Sequence, residues 1–428
     1  MSTVELKNLE QWLSWIEKCH PSEIDLGLQR LQVVFDRMQL DLSASQIITI
    51  GGTNGKGSTI ALLDKVLRDY GQRVGCFTSP HFLRYNERVK LDGRLVEDEL
   101  LCRAFEAIER VRGDLSLTYF EYNTLAALHV FAMAKPDVIL LEVGLGGRLD
   151  AVNIIDADIS VVTTVAIDHI DWLGDDREQI GFEKAGIFRA GCPAVCGDPE
   201  PPKRLVAYAA EIGAQLYSRG QAFNLTERAD GLWDWQGTDT GGGVVQQAGL
   251  LDINLPKANA ATVLQVLELL DIHPEPQQLA KSLANACLTG RMQRVSYQGQ
   301  EYILDVAHNP EAAAYLRQQL EKVPVTGKTL LILGMLADKD IDQVLQELKP
   351  VVDSWLLATL SVPRGEQAVE LADKLQRQGV AVDQQTTYDS VRDALLATKG
   401  QVSQGDRIIV AGSFYTVGNA LTAMNMDE

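Results

Sequence analysis

Hydrophobic positions recur at two periods along the chain. Leu6, Leu9, Leu13 and Ile16 keep a spacing close to 3.6, as do Leu28, Leu31, Phe35 and Met38 beyond the turn at Pro21, so the first 45 residues read as helical. From Gln46 the pattern changes. Residues 46–50 are a short apolar run, 51–58 a glycine-rich turn, 59–70 a helix closed by Gly71, and 73–78 a second apolar run. Helices at 97–111 and 118–134, and strands at 137–143 and 159–165, continue the alternation. Apolar runs without a polar face belong to strands covered on both sides, which is the mark of a parallel sheet with helices on each face.

Between about 220 and 255 the regularity fails. Residues 231–243 are rich in glycine, carry two tryptophans, and read as an exposed hairpin or loop excursion. A helix resumes at 259–270 and stops at Pro274 and Pro276. A second alternating series then follows. Strands are predicted at 302–306, 329–333, 354–359, 380–382 and 407–411, with helices at 310–320, 340–348, 366–376, 390–398 and 417–424. The expected fold is α/β, with two domains. Residues 1–287 form a P-loop-type mononucleotide-binding domain around a parallel-rich sheet, and 288–428 a smaller Rossmann-like α/β domain.

Composition narrows the class. A chain of 428 residues, 46% hydrophobic, buries a large core without disulfides. The 39 basic and 58 acidic residues leave a net charge of −19, which argues against a general nucleic-acid binder but not against an anionic small substrate. No apolar run reaches membrane-spanning length and the first residues lack a signal-peptide pattern, so a cytoplasmic protein with no membrane segment is expected. Cys192 and Cys196 have no second pair at metal spacing and read as thiols. No zipper is evident, and a monomer is the default expectation.

The strongest local signal is Gly51-Gly52-Thr53-Asn54-Gly55-Lys56-Gly57-Ser58-Thr59, between a predicted strand and a predicted helix. Glycines permit the tight turn and leave backbone amides open to phosphate oxygens, and the helix start adds donors. Lys56 reaches the outer phosphates, and Ser58 or Thr59 offers a hydroxyl to Mg²⁺. The strict pattern differs: Ile50 stands where it has its first glycine, and Gly57 separates the lysine from the hydroxyl. A glycine turn without a ligand is the plainer alternative, but it does not explain the lysine and hydroxyls at the helix start.

Function in parallel sheets gathers beyond the carboxyl ends of strands. Ser79, Glu142, Asp168, His169 and Asp171 lie there, with Glu183 and Lys184 soon after. Glu142 is the best direct ligand for a hard ion such as Mg²⁺, with a structural salt bridge as its alternative. His169 is softer and Ser79 weaker; taken alone, each reads more readily as an ordinary structural or surface residue, and Lys184 as a surface lysine.

These segments together resemble the Mur ligase superfamily, in its branch of folylpolyglutamate synthases and bifunctional bacterial dihydrofolate synthases. The resemblance rests on Gly52 to Ser58, Thr78-Ser79-Pro80-His81 with Asn86-Glu87-Arg88, and Leu141-Glu142-Val143-Gly144-Leu145-Gly146-Gly147-Arg148-Leu149-Asp150. It rests further on Asp168-His169, Glu183-Lys184-Ala185-Gly186-Ile187, Gly290-Arg291, Asp305-Val306-Ala307-His308-Asn309-Pro310 and Gly412-Ser413. It implies ATP, Mg²⁺ as two ions, and a monovalent cation. Ser58, Ser79, Glu142 and His169 resemble the magnesium environment, and Lys184 the family's carbamylated lysine. Asn259 and Arg291 resemble nucleotide contacts across the domain interface. Asp305 and His308 resemble residues of the ATP and glutamate region, with Asn309 and Ser413 as weaker candidates. Thr118, Phe120, Asp150 and Ala151 resemble pterin-side contacts.

The implied chemistry is amide formation. The acceptor carboxylate, of dihydropteroate or of a reduced folate, takes the γ-phosphoryl group of ATP, and L-glutamate's amine displaces phosphate. A peptidoglycan-precursor ligase, an ATPase without ligase activity and a non-catalytic folate binder are the competing readings. The first lacks its extra N-terminal UDP domain here, the second leaves the C-terminal motifs unassigned, and Lys56 with Glu142 argues against the third.

Overall fold

The computed structural model describes residues 8–22 and 24–426; Leu6, at the head of the first helical pattern, lies outside them. The chain forms two compact units. The first runs to His81 and resumes over Tyr85–Ala286; the second comprises Phe82–Arg84 and the chain from Cys287 onward. Among the described residues no helix is long and apolar enough to cross a membrane.

The first unit opens with helices Leu9–Ile16 and Gln29–Met38. Its main sheet contains β1 (Gln46–Gly51), β2 (Val74–Phe77), β3 (Val89–Leu91), β4 (Arg94–Leu95), β5 (Val138–Glu142), β6 (Ile159–Val162), β7 (Pro193–Cys196) and β8 (Gln215–Ser218). Their order is β4-β3-β2-β5-β1-β6-β7-β8. β5 is buried along its whole length and β1 everywhere but Gln46, as the continuous apolar runs require. β3 and β4 extend one edge antiparallel. β1 pairs in parallel with both β5 and β6, placing Ile50 beside Glu142 and Gly51 beside Val162. The loops after these three strands therefore open at one end of the sheet.

Two boundaries differ from expectation for a common reason. The helix predicted from Thr59 begins at Lys56, directly after Gly55 at φ +92°, so Lys56, Gly57 and Ser58 form its first turn. The strand predicted to Val165 ends at Val162, because the next residues bond to the glycine loop instead: Thr53 N–H donates to the Thr164 carbonyl at 2.8 Å.

The glycine-rich excursion is an antiparallel sheet of β9 (Asn224–Glu227), β10 (Trp233–Thr238) and β11 (Val244–Leu250). Its exposure was overestimated in sequence: Trp233 and Trp235 are buried. A Cβ on Gly237 would lie 2.1 Å from the Trp235 ring, so the missing side chain lets the indole cover the strand. Gln265, on helix Lys257–Leu269, clamps both the N–H and the carbonyl of Thr238.

The second unit holds β12 (Gln293–Tyr297), β13 (Gln300–Asp305), β14 (Thr329–Leu333), β15 (Ser354–Ala358), β16 (Gln385–Tyr388) and β17 (Arg407–Ala411), in the order β12-β13-β17-β14-β15-β16. All pairs are parallel except β12 with β13, an edge pairing the apolar pattern did not predict. The strand expected at 380–382 lies later, at β16: Val380 fills the core, while Val382 is exposed in a short 3₁₀ turn. The last helix begins at Phe414, three residues earlier than predicted.

Candidate active site

The glycine loop is built by close approach. At Gly52, with φ +138°, a Cβ would lie 1.9 Å from the Thr163 hydroxyl, and at Gly55 2.7 Å from the Asn259 amide. Neither position accepts a side chain without the loop moving. Thr163 donates to the Asn54 carbonyl at 2.6 Å, Thr53 donates to the Ala166 carbonyl at 3.1 Å, and the Asn54 N–H donates to Thr164 Oγ1 at 3.1 Å. Asn259, named in sequence as a nucleotide contact, thus packs against the loop itself. Lys56 Nζ lies over the loop, 2.9 Å from the Gly52 carbonyl and 3.2 Å from that of Thr53. Ser58 and Thr59 occupy the first helical turns, both buried, Thr59 completely.

Glu142 closes β5 with its side chain buried, and its Oε2 accepts the Ser79 N–H at 3.0 Å. One carboxylate thus fixes the loop after β2 next to the loop after β5. His169, exposed and at φ +54°, caps the short helix Ile170–Leu173, and its N–H donates to Asp168 Oδ1 at 2.8 Å.

Lys184 is not a surface lysine. It is buried on helix Arg177–Ala185, and burial, reinforced by the charge of Lys56, brings its ammonium down to about 7 despite Asp168 and Asp150. Two of the diagnostic segments form one packed body around it. A Cβ on Gly147 would lie 2.8 Å from the Glu183 carbonyl and 3.0 Å from that of Lys184, and one on Gly186 would overlap Arg148. Arg148 grips the Glu183 carboxylate, and Asn153 Nδ2 donates to the carbonyls of Arg148 and Gly186, each at 3.0 Å.

Gly52, Thr53, Lys56, Asp168, His169 and Lys184 line one cleft, together with Gly144 and Leu145. A second cavity of about 300 Å³ shares Gly144, Leu145 and His169 with it. Its walls include the expected pterin-side residues Thr118, Phe120, Asp150 and Ala151, and Ser79. Thr118 caps helix Tyr119–Ala134 in a capping box with Glu121. Phe120 packs against Phe77, ring centroids 5.8 Å apart, and a Cβ on Gly144 would meet its ring at 2.6 Å. Asp150 accepts the N–H groups of Leu145 at 2.7 Å and Val152 at 3.1 Å; burial outweighs these bonds and raises its carboxyl to about 6.

Sequence reasoning missed part of this wall. The 24–27 segment and Tyr119 also line the cavity, with Arg88, which the sequence placed in a motif but gave no role. Arg30 pins that segment, bonding Asp25 through its side chain and, at 2.6 Å, its carbonyl, while its Nε lies 3.0 Å from Glu121. No local pattern announces such a clamp, whose partners lie 91 residues apart.

In the second unit, Asp305 is buried at the end of β13 and accepts the N–H groups of Met292 and Ala307, each at 2.9 Å. Burial raises its carboxyl above the ordinary range, opposed by Arg291, these bonds and His308. His308 Nδ1 donates to the Val306 carbonyl at 2.9 Å, which fixes the orientation of its ring. Phe414 lies against both: the Arg291 guanidinium is 5.6 Å from its ring centroid and the His308 ring 6.2 Å. Asn309 caps helix Pro310–Lys322, and buried Ser413 bonds to Thr416.

The donors around the cleft fit a hard divalent ion. Glu142, Ser79 and Ser58 offer oxygen, and among the described residues no group of three or more His, Cys, Asp and Glu forms a cage. Magnesium characteristically uses few protein carboxylates, with phosphate oxygens and water completing its shell.

Comparison with known proteins identifies the family. The Mur ligase middle domain matches residues 50–195, and the Mur ligase glutamate ligase domain matches 290–414. The dihydrofolate synthase/folylpolyglutamate synthase of Escherichia coli is 43% identical over 97% of this chain and 96% of its own. The structure of E. coli FolC with DHPP and ADP superposes with a TM-score of 0.91 at 42% identity, covering 98% of each chain. A bifunctional folylpolyglutamate synthase/dihydrofolate synthase with Mn, AMPPNP and L-glutamate bound gives a TM-score of 0.90 at 43% identity, covering 99% of this chain and 100% of that one.

Proposed function

The chain belongs to the Mur ligase family, in its dihydrofolate synthase/folylpolyglutamate synthase branch, and from that premise we propose how its residues make an amide. The protein is an ATP-dependent ligase that joins L-glutamate to dihydropteroate, giving dihydrofolate, and to the glutamate tail of reduced folates. The observation that carries the residue assignment is the meeting of two cavities at His169, Gly144 and Leu145. One is framed by the glycine loop and Lys56; the other is apolar enough, with Phe120 and Leu149, for a flat heterocycle.

In this reading the loop amides and Lys56 hold the triphosphate and stabilise charge on its outer oxygens. Divalent metal adds Lewis-acid charge there when bound, held by Glu142, Ser79, His169 and Ser58. Thr118, Phe120, Asp150 and Ala151 orient the acceptor so that its carboxylate oxygen attacks the γ-phosphorus. The bond to the β-phosphate oxygen breaks and ADP leaves. The glutamate amine then attacks the acyl carbon, loses a proton, and phosphate departs. Residues 288–428 serve the glutamate side: Asp305 fixes the turn bearing Arg291, and His308 Nε2 takes the amine's proton, with Asn309 and Ser413 shaping the surroundings.

Lys184 is carbamylated in this account. Its amine, brought down to about 7, is partly neutral at physiological pH. The nitrogen lone pair adds to CO₂, a proton leaves, and a cation becomes an oxygen donor facing the cleft. The protein acts as a monomer in the cytoplasm, where ATP and glutamate are supplied.

Incubation with ATP, Mg²⁺, L-glutamate and either dihydropteroate or tetrahydrofolate, followed by mass analysis, tests the assignment. One added glutamyl unit on either acceptor is expected. ATP hydrolysis without it, or transfer only to a UDP-linked muramyl acceptor, overturns it.

A further inference from the structure

β6 ends at Val162, yet the next four residues are held from both sides. Among the described residues, the Gly197 N–H bond to the Val162 carbonyl, at 2.9 Å, is the last main-chain bond between β6 and β7. Beyond it, one side of the chain meets the glycine loop. The Thr164 carbonyl accepts the Thr53 N–H at 2.8 Å, Thr164 Oγ1 accepts the Asn54 N–H at 3.1 Å, and Thr53 Oγ1 accepts the Ala166 N–H at 3.0 Å. On the other side two side chains stand in for a neighbouring strand. Asp198 Oδ2 accepts the Val165 N–H at 2.8 Å, and Arg177 Nε donates to the Val165 carbonyl at 2.7 Å. Alternate residues along a strand-like chain turn their N–H and C=O to opposite edges. The register that points Thr164 and Ala166 at the loop therefore points Val165 at this pair.

Asp198 is 3% exposed, and both its oxygens are used: Oδ1 accepts the Glu200 N–H at 2.9 Å and Arg177 Nη2 at 2.8 Å. Nη2 also donates to the Glu200 carbonyl at 2.8 Å. Arg177 thus spans three acceptors, which the rigid fork of a guanidinium can do and a single ammonium cannot. Removing either partner leaves a buried polar group short of its bond. Neither residue lines the phosphate cleft, and the mechanism above gives them no part.

We propose that Arg177 and Asp198 are positioning residues for nucleotide binding, fixing Val165 so that Thr164 and Ala166 hold the glycine loop in its phosphate-binding shape; this rests on the nucleotide reading of that loop given above. A glycine-rich loop has much backbone freedom to lose. Held in shape beforehand, it loses that freedom on folding and not on meeting its ligand, and affinity rises accordingly.

The test titrates ADP with Mg²⁺ into the full chain by calorimetry, and dihydropteroate into the ADP-saturated protein. Arg177→Met and Asp198→Asn should each weaken ADP binding roughly 10-fold, the scale of one lost bond to a charged group. Affinity for dihydropteroate should stay as in wild type, because residues 163–166 do not line the acceptor cavity. The double variant should lose no more than the larger single loss, since either change alone dismantles the clamp. Arg177→Lys keeps the charge without the fork and should lose most of the same affinity. A merely structural pair would lower the urea midpoint and leave the folded protein's ADP affinity unchanged; that result overturns the proposal. So do losses that add in the double variant, equal weakening of both ligands, or wild-type affinity in Arg177→Lys. If Arg177→Met does not fold, Asp198→Asn and Arg177→Lys carry the same comparison. Wild type that fails to bind ADP sinks the nucleotide reading, and the positioning role with it. Wild-type affinity in every folded variant sinks the positioning role alone.

Discussion

The Arg148 guanidinium holds the Glu183 carboxylate with two donors, Nη2 to Oε1 at 2.9 Å and Nε to Oε2 at 3.2 Å. The pair ties the loop after β5 to the helix that carries Lys184. It sits at the edge of the site and touches neither cleft nor cavity, so its part is to keep Lys184 buried and aimed.

Arg148→Ala should therefore weaken catalysis without abolishing nucleotide binding. A partly exposed bidentate pair contributes about 1 kcal/mol, or roughly fivefold in rate. Steady-state kinetics should show kcat down by about that factor, with the affinity for ADP unchanged.

The burial of Lys184 has a direct consequence for pH. Its pKa falls from 10.5 to about 7 on folding, so between those values the native state binds fewer protons than the unfolded chain, and the unmodified lysine adds stability as pH rises through that window. The same shift favours carbamate formation above pH 7. Labelled bicarbonate should give a carbamate carbon signal in wild type that Lys184→Ala lacks, and the variant's activity should be lost and partly restored by a small added carboxylate. Wild-type turnover by Lys184→Ala would discard the carbamate.

Gly52→Ala should damage the phosphate loop selectively. The added methyl would meet the Thr163 hydroxyl at 1.9 Å in a backbone conformation that favours glycine. Strain of about 1–3 kcal/mol corresponds to roughly 5- to 150-fold weaker ATP binding. Calorimetric titration checks it, with affinity for dihydropteroate as the internal control.

Asp150 titrates with the opposite sign to Lys184. Its carboxyl is raised from 3.8 to about 6, so the native state holds its proton more tightly, and the stabilising contribution present at low pH is lost as pH rises through that window. Asp150→Asn removes this dependence. The wild-type urea midpoint should decline relative to the variant between about pH 4 and 6.

Much of the site was legible because its signals are local. Gly52, Gly55 and Lys56 announce a phosphate loop within a few residues, and Glu142 ends a run of apolar residues whose burial ranks it as a strand. The packing of Gly147 and Gly186 explains why two distant motifs occur together, although neither motif reveals the other as its partner. Arg88 stood in the sequence as part of a motif without a role, because its place in the cavity wall beside Tyr119 is set by the fold. The Arg30 clamp on Asp25 was equally silent. Trp233 and Trp235 misled, since glycine and polar neighbours suggested exposure where a helix in fact covers one face. The edge strand β12 escaped notice because alternate residues face solvent and no continuous apolar run marks it.

The central claim is that an acid is activated by the γ-phosphoryl group before glutamate arrives. Dihydropteroate carrying ¹⁸O in both carboxylate oxygens tests it most directly, in a turnover with ATP, Mg²⁺ and L-glutamate. Formation and collapse of an acyl phosphate transfers one labelled oxygen to the released phosphate, and one label per phosphate is the predicted result. Phosphate released without label, alongside a glutamylated product, would contradict the account.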